Sequence, residues 1–381
     1  MKNVLVIASS LESGTVDQSV IDVAMVLHAR GFDMTVVSAG GRMVKNLKRF
    51  GIKHVLMPID YTDVFVIHRN LKRLREIVEA EKIGLVHSFT PQASYYAAKI
   101  RRFARIPYVF SLLTVYRPTI LSRLFRRASY MARADYKIVP SEYAAGYVQS
   151  AYRVPPGRIV IIPQWVDTDM FNTASVSAER IIKAAGDLRI PEDCFIVMTA
   201  GRLSDSDGQD ALIEAVARLP RDVRERMHCL LVGDYRDAPK AKDRLERLAS
   251  KLGVSDIIHI AGAYPDLAAL MTLCDVFVAT NTVPRLADRN VLRAQSMGRP
   301  VIAPDIGSTR EYMADQNGFR LYAPGDAGAL ADGIMWGVSL PKDKRSDISH
   351  RMASVVRLNF SLRAVPAKIG DIYDYILESR G

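Results

Sequence analysis

Residues 3–41 read NVLVIASSLESGTVDQSVIDVAMVLHARGFDMTVVSAGG. A short apolar run, NVLVIAS, gives way to the polar SLESGTVDQ. Val20, Val23, Ala24, Val26 and Leu27 then fall at helical spacing until Gly31, and MTVVSAGG is a second apolar run. Strand, loop, helix and strand in this order predict two parallel strands joined by a right-handed crossover.

Outward from this unit the alternation continues. Helices are expected at MVKNLKRFG, NLKRLREIVEAEKIG and ASYYAAKIRRFARI, with strands at HVLMPI, LVHSF, YVFSLL and YKIVPS and a long helical stretch before Asp135. After RIVIIPQWVDTDMF the chain turns polar, and FIVMTAG at Phe195 restarts the same series as far as RPVIAP and a helix near SLPKDKRSDISHRMASVVRLNF. Fully apolar strands between amphipathic helices mean a doubly wound α/β domain, here twice over. A chain of 381 residues is also longer than one core usually supports. The expected division is 1–165 and 166–354, with a closing segment, 355–381, whose helix AKIGDIYDYILESR returns to the first domain. Two such domains facing each other leave a deep cleft, the usual place for a ligand.

The charge of +11 is one-sided. Met1 to Trp165 holds 24 Lys and Arg against 11 Asp and Glu, a balance of +13, while the remainder has 28 against 30, a balance of −2. Such a field suits an anionic surface or a phosphate-bearing ligand. Nucleic acid is not expected, because no binding motif accompanies the charge. Cys194, Cys229 and Cys274 match no metal spacing and read as buried free thiols in a reducing compartment. MKNVLVIASS reads as a first strand and not a signal peptide, and no run approaches the ~18 apolar residues of a bilayer span. The expected location is the cytoplasm, with peripheral contact on the inner face of the cytoplasmic membrane left open.

Five segments in order resemble the retaining family-4 (group 1) glycosyltransferases of the GT-B fold. They are SGTVDQSVIDVAMVLHARGFDMTVVSAGGRM, VPSEYAAGYV with Ser141 and Glu142, VIIPQWVDTDMF, AGRLSDSDGQDALIEAVARL and RAQSMGRPVIAPDIGSTREYM. The resemblance covers nearly the whole chain. It implies two Rossmann-like domains, no metal cofactor, a nucleotide-sugar donor, a lipid-linked or polysaccharide acceptor, and a place in cell-surface polysaccharide, exopolysaccharide or lipopolysaccharide synthesis. Its donor site must stabilise the charge developing on a leaving diphosphate, which takes cations or backbone N–H donors.

At those donor positions this sequence departs from the family. Gly14 is followed by Thr15 where the resemblance calls for a second glycine, and Leu113 stands at the histidine position. In the phosphate loop Gly201 and Arg202 are retained, but Asp207 replaces a lysine and, with Asp205, is expected to repel a diphosphate. Arg285 and Arg293 occupy the two glutamate positions, and Trp165 that of the glycine between domains. Arg285, Arg289 and Arg293, four apart, read either as a solvated helix face or as an anion-binding row. Arg202 reads as a phosphate ligand or as a partner of Asp234. The stretch RPTILSRLFRRASYMARADYK offers Arg123, Phe125, Arg126 and Arg127 as a basic, amphipathic membrane contact or as an ordinary core helix. Three functions stay open: a degenerate, non-catalytic homologue acting beside an intact glycosyltransferase paralogue; an active enzyme with an arginine-based diphosphate site; and a protein that binds an anionic membrane or an acceptor through its basic half.

Overall fold

The computed structural model describes residues 2–12, 14–59, 62–115, 129–204, 207–236 and 238–379. The chain forms two compact units: Met1–Gln164 with Leu362–Gly381, and Trp165–Ser361. The return to the first unit thus begins at Leu362 and not at 355. Both helices expected near the end of the chain are present, Lys342–Asn359 and Ala367–Glu378, and only the second belongs to the first unit.

The first unit carries seven parallel strands, β1 (Asn3–Ile7), β2 (Asp33–Ser38), β3 (Lys53–Leu56), β4 (Leu85–Ser88), β5 (Tyr108–Ser111), β6 (Tyr136–Val139) and β7 (Ile159–Ile161), in the order β3-β2-β1-β4-β5-β6-β7. The order reverses between β1 and β4, whose register pairs Val4 with Leu85 and Ile7 with Ser88. Helix α1 (Thr15–Ala29) connects β1 to β2, and α2 (Val44–Arg49) leads to β3. Helix α3 (Val64–Ala80) is capped by the Asp63 carboxylate, which accepts from the amides of Phe65 and Val66, and it begins six residues before the stretch the sequence suggested. Helix α4 (Pro91–Ala104) has Thr90 as cap and proline at its first position, where a missing N–H costs nothing. Helices α5 (Ser129–Ala132) and α6 (Glu142–Tyr152) follow, the latter capped by the Ser141 hydroxyl.

The second unit has six parallel strands, β8 (Phe195–Ala200), β9 (Met227–Val232), β10 (Ile258–Gly262), β11 (Val276–Val278), β12 (Val301–Pro304) and β13 (Phe319–Tyr322), in the order β10-β9-β8-β11-β12-β13. Its order reverses between β8 and β11. In open α/β sheets, ligands sit beyond the strand carboxyl ends at such reversals, which here means the loops after β8 and β11. Helix α7 (Ala178–Asp187) precedes β8, α8 (Gln209–Arg218) and α9 (Arg221–Arg224) lead to β9, and α10 (Pro239–Lys251) and α11 (Leu267–Leu273) flank β10. Helix α12 (Arg289–Ser296) separates β11 from β12, and α13 (Ala327–Ser339), α14 (Lys342–Asn359) and α15 (Ala367–Glu378) complete the chain. Strand β13 and helix α13 go beyond the sequence reading, since FRLY is only half apolar and its neighbours carry no strong periodicity.

Burial follows the pattern that the strands announced. Val4, Leu5, Val6 and Ile7 are fully buried, as are Val276 and Val278 in the other unit. Cys229 and Cys274 are buried free thiols and Cys194 is half-buried. Among the described residues no helix is long and apolar enough to cross a membrane.

A polar chain of contacts ties α15 to the first sheet. His87, wholly buried in β4, bonds the Tyr373 hydroxyl through Nδ1 and the Ser111 hydroxyl through Nε2, the latter at 2.8 Å. Its ring lies 4.2 Å from that of Phe89. Lys2 pairs with Asp374 at 2.8 Å and Arg30 with Asp371 at 2.9 Å on the same helix.

Candidate functional site

The loop after β8 carries Gly201 and Arg202, and the geometry around it leaves no room for larger side chains. A Cβ added at Gly233 would lie 1.5 Å from the Gly201 carbonyl oxygen, and one at Gly208 would lie 2.1 Å from that of Thr280. Gly208 also has φ +71°, which an L side chain resists. The loops after β8, β9 and β11 are therefore pressed together backbone to backbone. Thr280 Oγ1 donates to the Asp207 carbonyl at 2.6 Å, and Asn290 Nδ2 donates to that of Ala200 at 2.8 Å.

Asp207 and Arg285, the two residues that most disturb the family resemblance, meet here. Arg285 Nη2 donates to Asp207 Oδ1 at 2.9 Å, and its Nη1 donates to Asp288 Oδ2 at 2.7 Å. Asp207 Oδ2 also accepts from the Ser204 hydroxyl at 2.6 Å. Their side chains retain 11% and 31% of their exposure, so the pair is partly shielded. Burial disfavours the charged guanidinium, but Asp288 and Asp207 outweigh it and raise the Arg285 pKa. The Arg285 carbonyl is itself held by the Ser308 amide and hydroxyl, at 3.2 and 3.0 Å. The expectation of a repelling aspartate is corrected accordingly: the Asp207 carboxylate is engaged by a cation and a hydroxyl. Asp205 lies outside the described residues.

The arginine row does not form a solvated helix face. Arg285 precedes α12, and Asp288 caps that helix by accepting from the amides of Asn290 and Val291. Arg289, 5% exposed, places its guanidinium 5.6 Å from the Trp165 ring centroid. Arg293 lies 4.8 Å over the Phe171 ring and donates to Asn290 Oδ1 at 2.9 Å. Two arginines thus lie against aromatic residues of the segment that opens this unit, the contact a planar guanidinium makes well. Trp165 is buried in that packing.

Arg202 is exposed at the end of β8 and, among the described residues, forms no ion pair. Asp234, its alternative partner from the sequence, pairs with Arg236 instead. Arg202 is thus a cation of this loop that faces solvent.

In the first unit Gly14 (φ +118°) and Thr15 are exposed at the N-terminus of α1, where no side chain caps the helix. Gly41, with φ +138°, supports the loop before them: a Cβ there would lie 2.4 Å from the Leu11 backbone. Asp17 sits in the first turn and accepts from the Glu12 amide at 3.0 Å, so its negative charge already occupies the positive end of the helix. Leu113 lies half-buried in the loop after β5, and its side chain offers no hydrogen-bonding group where the resemblance implies an imidazole.

Arg123, Phe125, Arg126 and Arg127 fall outside the described residues. A different surface has the chemistry expected of them. At the start of α3, Val64 and Phe65 are 73% and 87% exposed, and His68, Arg69, Lys72 and Arg73 follow on the solvent side. The signal was present in VFVIHRNLKR, but reading the helix from Asn70 hid its apolar tip.

With this geometry in place, two sequence profiles match the chain: Glycosyltransferase Family 4 over residues 16–170 and Glycosyl transferases group 1 over residues 194–338. A D-inositol 3-phosphate glycosyltransferase of Segniliparus rotundus is 26% identical over 66% of this chain and 52% of its own length. The lipopolysaccharide core biosynthesis glycosyltransferase LpsE of Rhizobium meliloti is 32% identical over 39% of this chain and 40% of its own. The matches span about half the length of these curated relatives. In fold, the chain is similar to a glycosyltransferase from Rickettsia africae (TM-score 0.88, 24% identity, 99% of both chains). It is similar also to Anabaena HepE, solved with UDP-glucose (TM-score 0.84, 21% identity, 98% of this chain and 99% of that one).

Proposed function

We propose, from the premise that the chain belongs to the group 1, family-4 glycosyltransferases of the GT-B fold, that it retains their architecture without their donor chemistry. It serves as a non-catalytic partner of an intact glycosyltransferase in building a cell-surface polysaccharide or lipopolysaccharide. The kinship with LpsE supports the pathway, and the Asp207–Arg285 contact carries the rest. Where the resemblance calls for a lysine and a glutamate free to grip the donor, an aspartate and an arginine satisfy one another. The charge that should meet the diphosphate and the sugar is spent within the protein. The chain thereby lacks both the cation at 207 and the carboxylates at 285 and 293, and the Leu113 side chain cannot hydrogen-bond.

Calorimetric titration with UDP-glucose and GDP-mannose tests this directly. The expected result is no binding tighter than about 1 mM and no hydrolysis or transfer. Micromolar binding with turnover would establish the arginine-based enzyme instead. In that case Arg202→Ala should abolish activity, since Arg202 is the phosphate-loop cation that faces solvent.

The exposed tip of α3 favours a second role, contact with an anionic membrane. Phe65 offers apolar area and the basic residues behind it offer charge, the two components that interfacial helices combine. Phe65→Asp should weaken partitioning onto phosphatidylglycerol vesicles by about 1 kcal/mol, some five-fold, for a side chain only partly inserted. Flotation equal to that of the unaltered protein would remove this role.

A further inference from the structure

At the other end of the first sheet lies a hollow of ≈ 570 Å³ lined by Ala98, Arg101, Arg102, Arg105, Ile106, Arg133 and Arg158. Its volume is within the range of small-molecule sites. The arginines arrive from three places: the last turn and exit of α4, the exit of α5, and the turn Pro156–Arg158 that enters β7. All three lie at the amino ends of β5, β6 and β7. Because every strand of the sheet is parallel, Leu113 and the loop holding Gly14 lie at the opposite, carboxyl end.

Ordinary structural reasons account for part of this charge. Arg101 and Arg102 are in the last turn of α4, where cations complement the helix dipole. Arg101 also makes a two-pronged bond to Asp135, Nε at 2.8 Å and Nη2 at 2.6 Å. Arg133 rests 4.9 Å over the Tyr130 ring. These contacts fix two guanidinium groups in place. They do not explain why Arg133 and Arg158, from other elements, converge on the same space. Five arginines line the hollow, and Arg101 is paired there with the Asp135 carboxylate. Beneath them Lys137 is buried, and burial, with Arg158 next, lowers its pKa to about 8. Arg158 and Arg101 add to the lowering, and Asp135 opposes it.

We propose that this hollow binds a compact, water-soluble polyanion of linked phosphoryl groups, at a site independent of the loop that holds Arg202. Guanidinium groups in a concave cluster match phosphoryl oxygens in both geometry and charge. Among the described residues the lining has only Ala98 and Ile106 as apolar members, and none of the exposed large hydrophobic side chains borders it. A lipid surface would need such side chains to insert, so a soluble anion is the better fit.

The test uses inorganic triphosphate and the full chain. Calorimetry should show binding tighter than about 1 mM, weakening as salt rises because exposed charge is screened within about 8 Å at physiological ionic strength. Arg102→Ala with Arg158→Ala should weaken it at least about ten-fold, since two charge-assisted contacts are lost. Both side chains are exposed, so thermal stability should hold, and Arg158→Gln alone gives a second, milder readout. Arg202→Ala, in the other unit, should leave the affinity within about two-fold, as expected for independent sites. The proposal is overturned by the absence of binding, by binding indifferent to Arg102 and Arg158, by loss of binding in Arg202→Ala, or by attachment only to phosphatidylglycerol vesicles.

Discussion

Exchanging the charges of one contact, Asp207→Lys together with Arg285→Glu, should give the protein measurable affinity for a nucleotide sugar. Either change alone should damage the fold. Asp207→Lys places an ammonium against Arg285, while Arg285→Glu gathers three carboxylates where Asp207 and Asp288 already sit 2.9 and 2.7 Å from the guanidinium. Breaking a well-shielded pair costs about 3–5 kcal/mol, and this one keeps some exposure, so about 2–3 kcal/mol for each single change is expected. The double variant keeps an opposite-charge pair at the same place. It should recover about half of the summed loss, in line with coupling energies of about 0.5–3 kcal/mol for residues in contact. Asp288 limits the recovery, because its carboxylate caps α12 and would face the introduced glutamate.

The functional consequence follows from where the new charges lie. A lysine at 207 returns a cation to the loop beside Arg202, and a glutamate at 285 returns a carboxylate of the kind the resemblance assigns to the donor sugar. UDP-glucose affinity should rise at least about ten-fold over the unaltered protein, about 1.4 kcal/mol. Transfer activity is not expected, because Leu113 and Arg293 still stand where the resemblance calls for a histidine and a second glutamate. Chemical denaturation of the four proteins gives the coupling, and calorimetry gives the affinity. A folded double variant with no gain in affinity would show that the proposed loss of donor binding does not arise from the residues at 207 and 285. Micromolar binding by the unaltered protein would show that nothing is disabled.

How far these properties were legible in the sequence depended on the range of the interactions involved. Strands buried on both faces announce themselves locally, so β1, β2 and β8 could be read from NVLVIAS, MTVVSAGG and FIVMTAG. β13 could not, because Arg320 interrupts its apolar run and its place is set by pairing with β12. The unusual residues at 207, 285 and 293 were visible as departures from a family pattern. Their partners were not. Arg285 and Asp207 are separated by 78 positions, and nothing in local spacing distinguishes a repelling aspartate from a paired one. Spacing of four suggested a common helix face for Arg285, Arg289 and Arg293, but the Asp288 cap starts the helix after Arg285 and turns the other two onto Trp165 and Phe171. The arginine hollow of the first unit was anticipated only as an excess of charge. Its members come from three elements, which a one-dimensional reading cannot bring together.

Acidification from pH 7 to pH 5 should remove about 2 kcal/mol of stability through His87 alone. Burial holds its pKa at about 3, against 6.5 for the exposed side chain. Between those values the unfolded chain binds a proton that the folded one excludes. The contribution is therefore complete above about pH 6.5 and is lost as pH falls, at up to about 1.36 kcal/mol per unit, until about pH 3. The groups that face the ring are the Tyr373 hydroxyl from α15, the Ser111 hydroxyl from β5 and the Phe89 ring, and none offers a negative charge to stabilise an imidazolium. His228 and His259, hydrogen-bonded to each other at 2.7 Å in the second unit, are also lowered and titrate in the same direction, so the measurement must be a difference. His87→Asn should flatten the stability profile between pH 5 and 7 by close to one proton relative to the unaltered protein. Tyr373→Phe should keep the slope and cost about 1–2 kcal/mol at pH 7, because it leaves a buried ring nitrogen without its partner. An unchanged slope in His87→Asn would place the acid sensitivity elsewhere, and a neutral Tyr373→Phe would mean that α15 is held by its apolar face and its ion pairs without this bond.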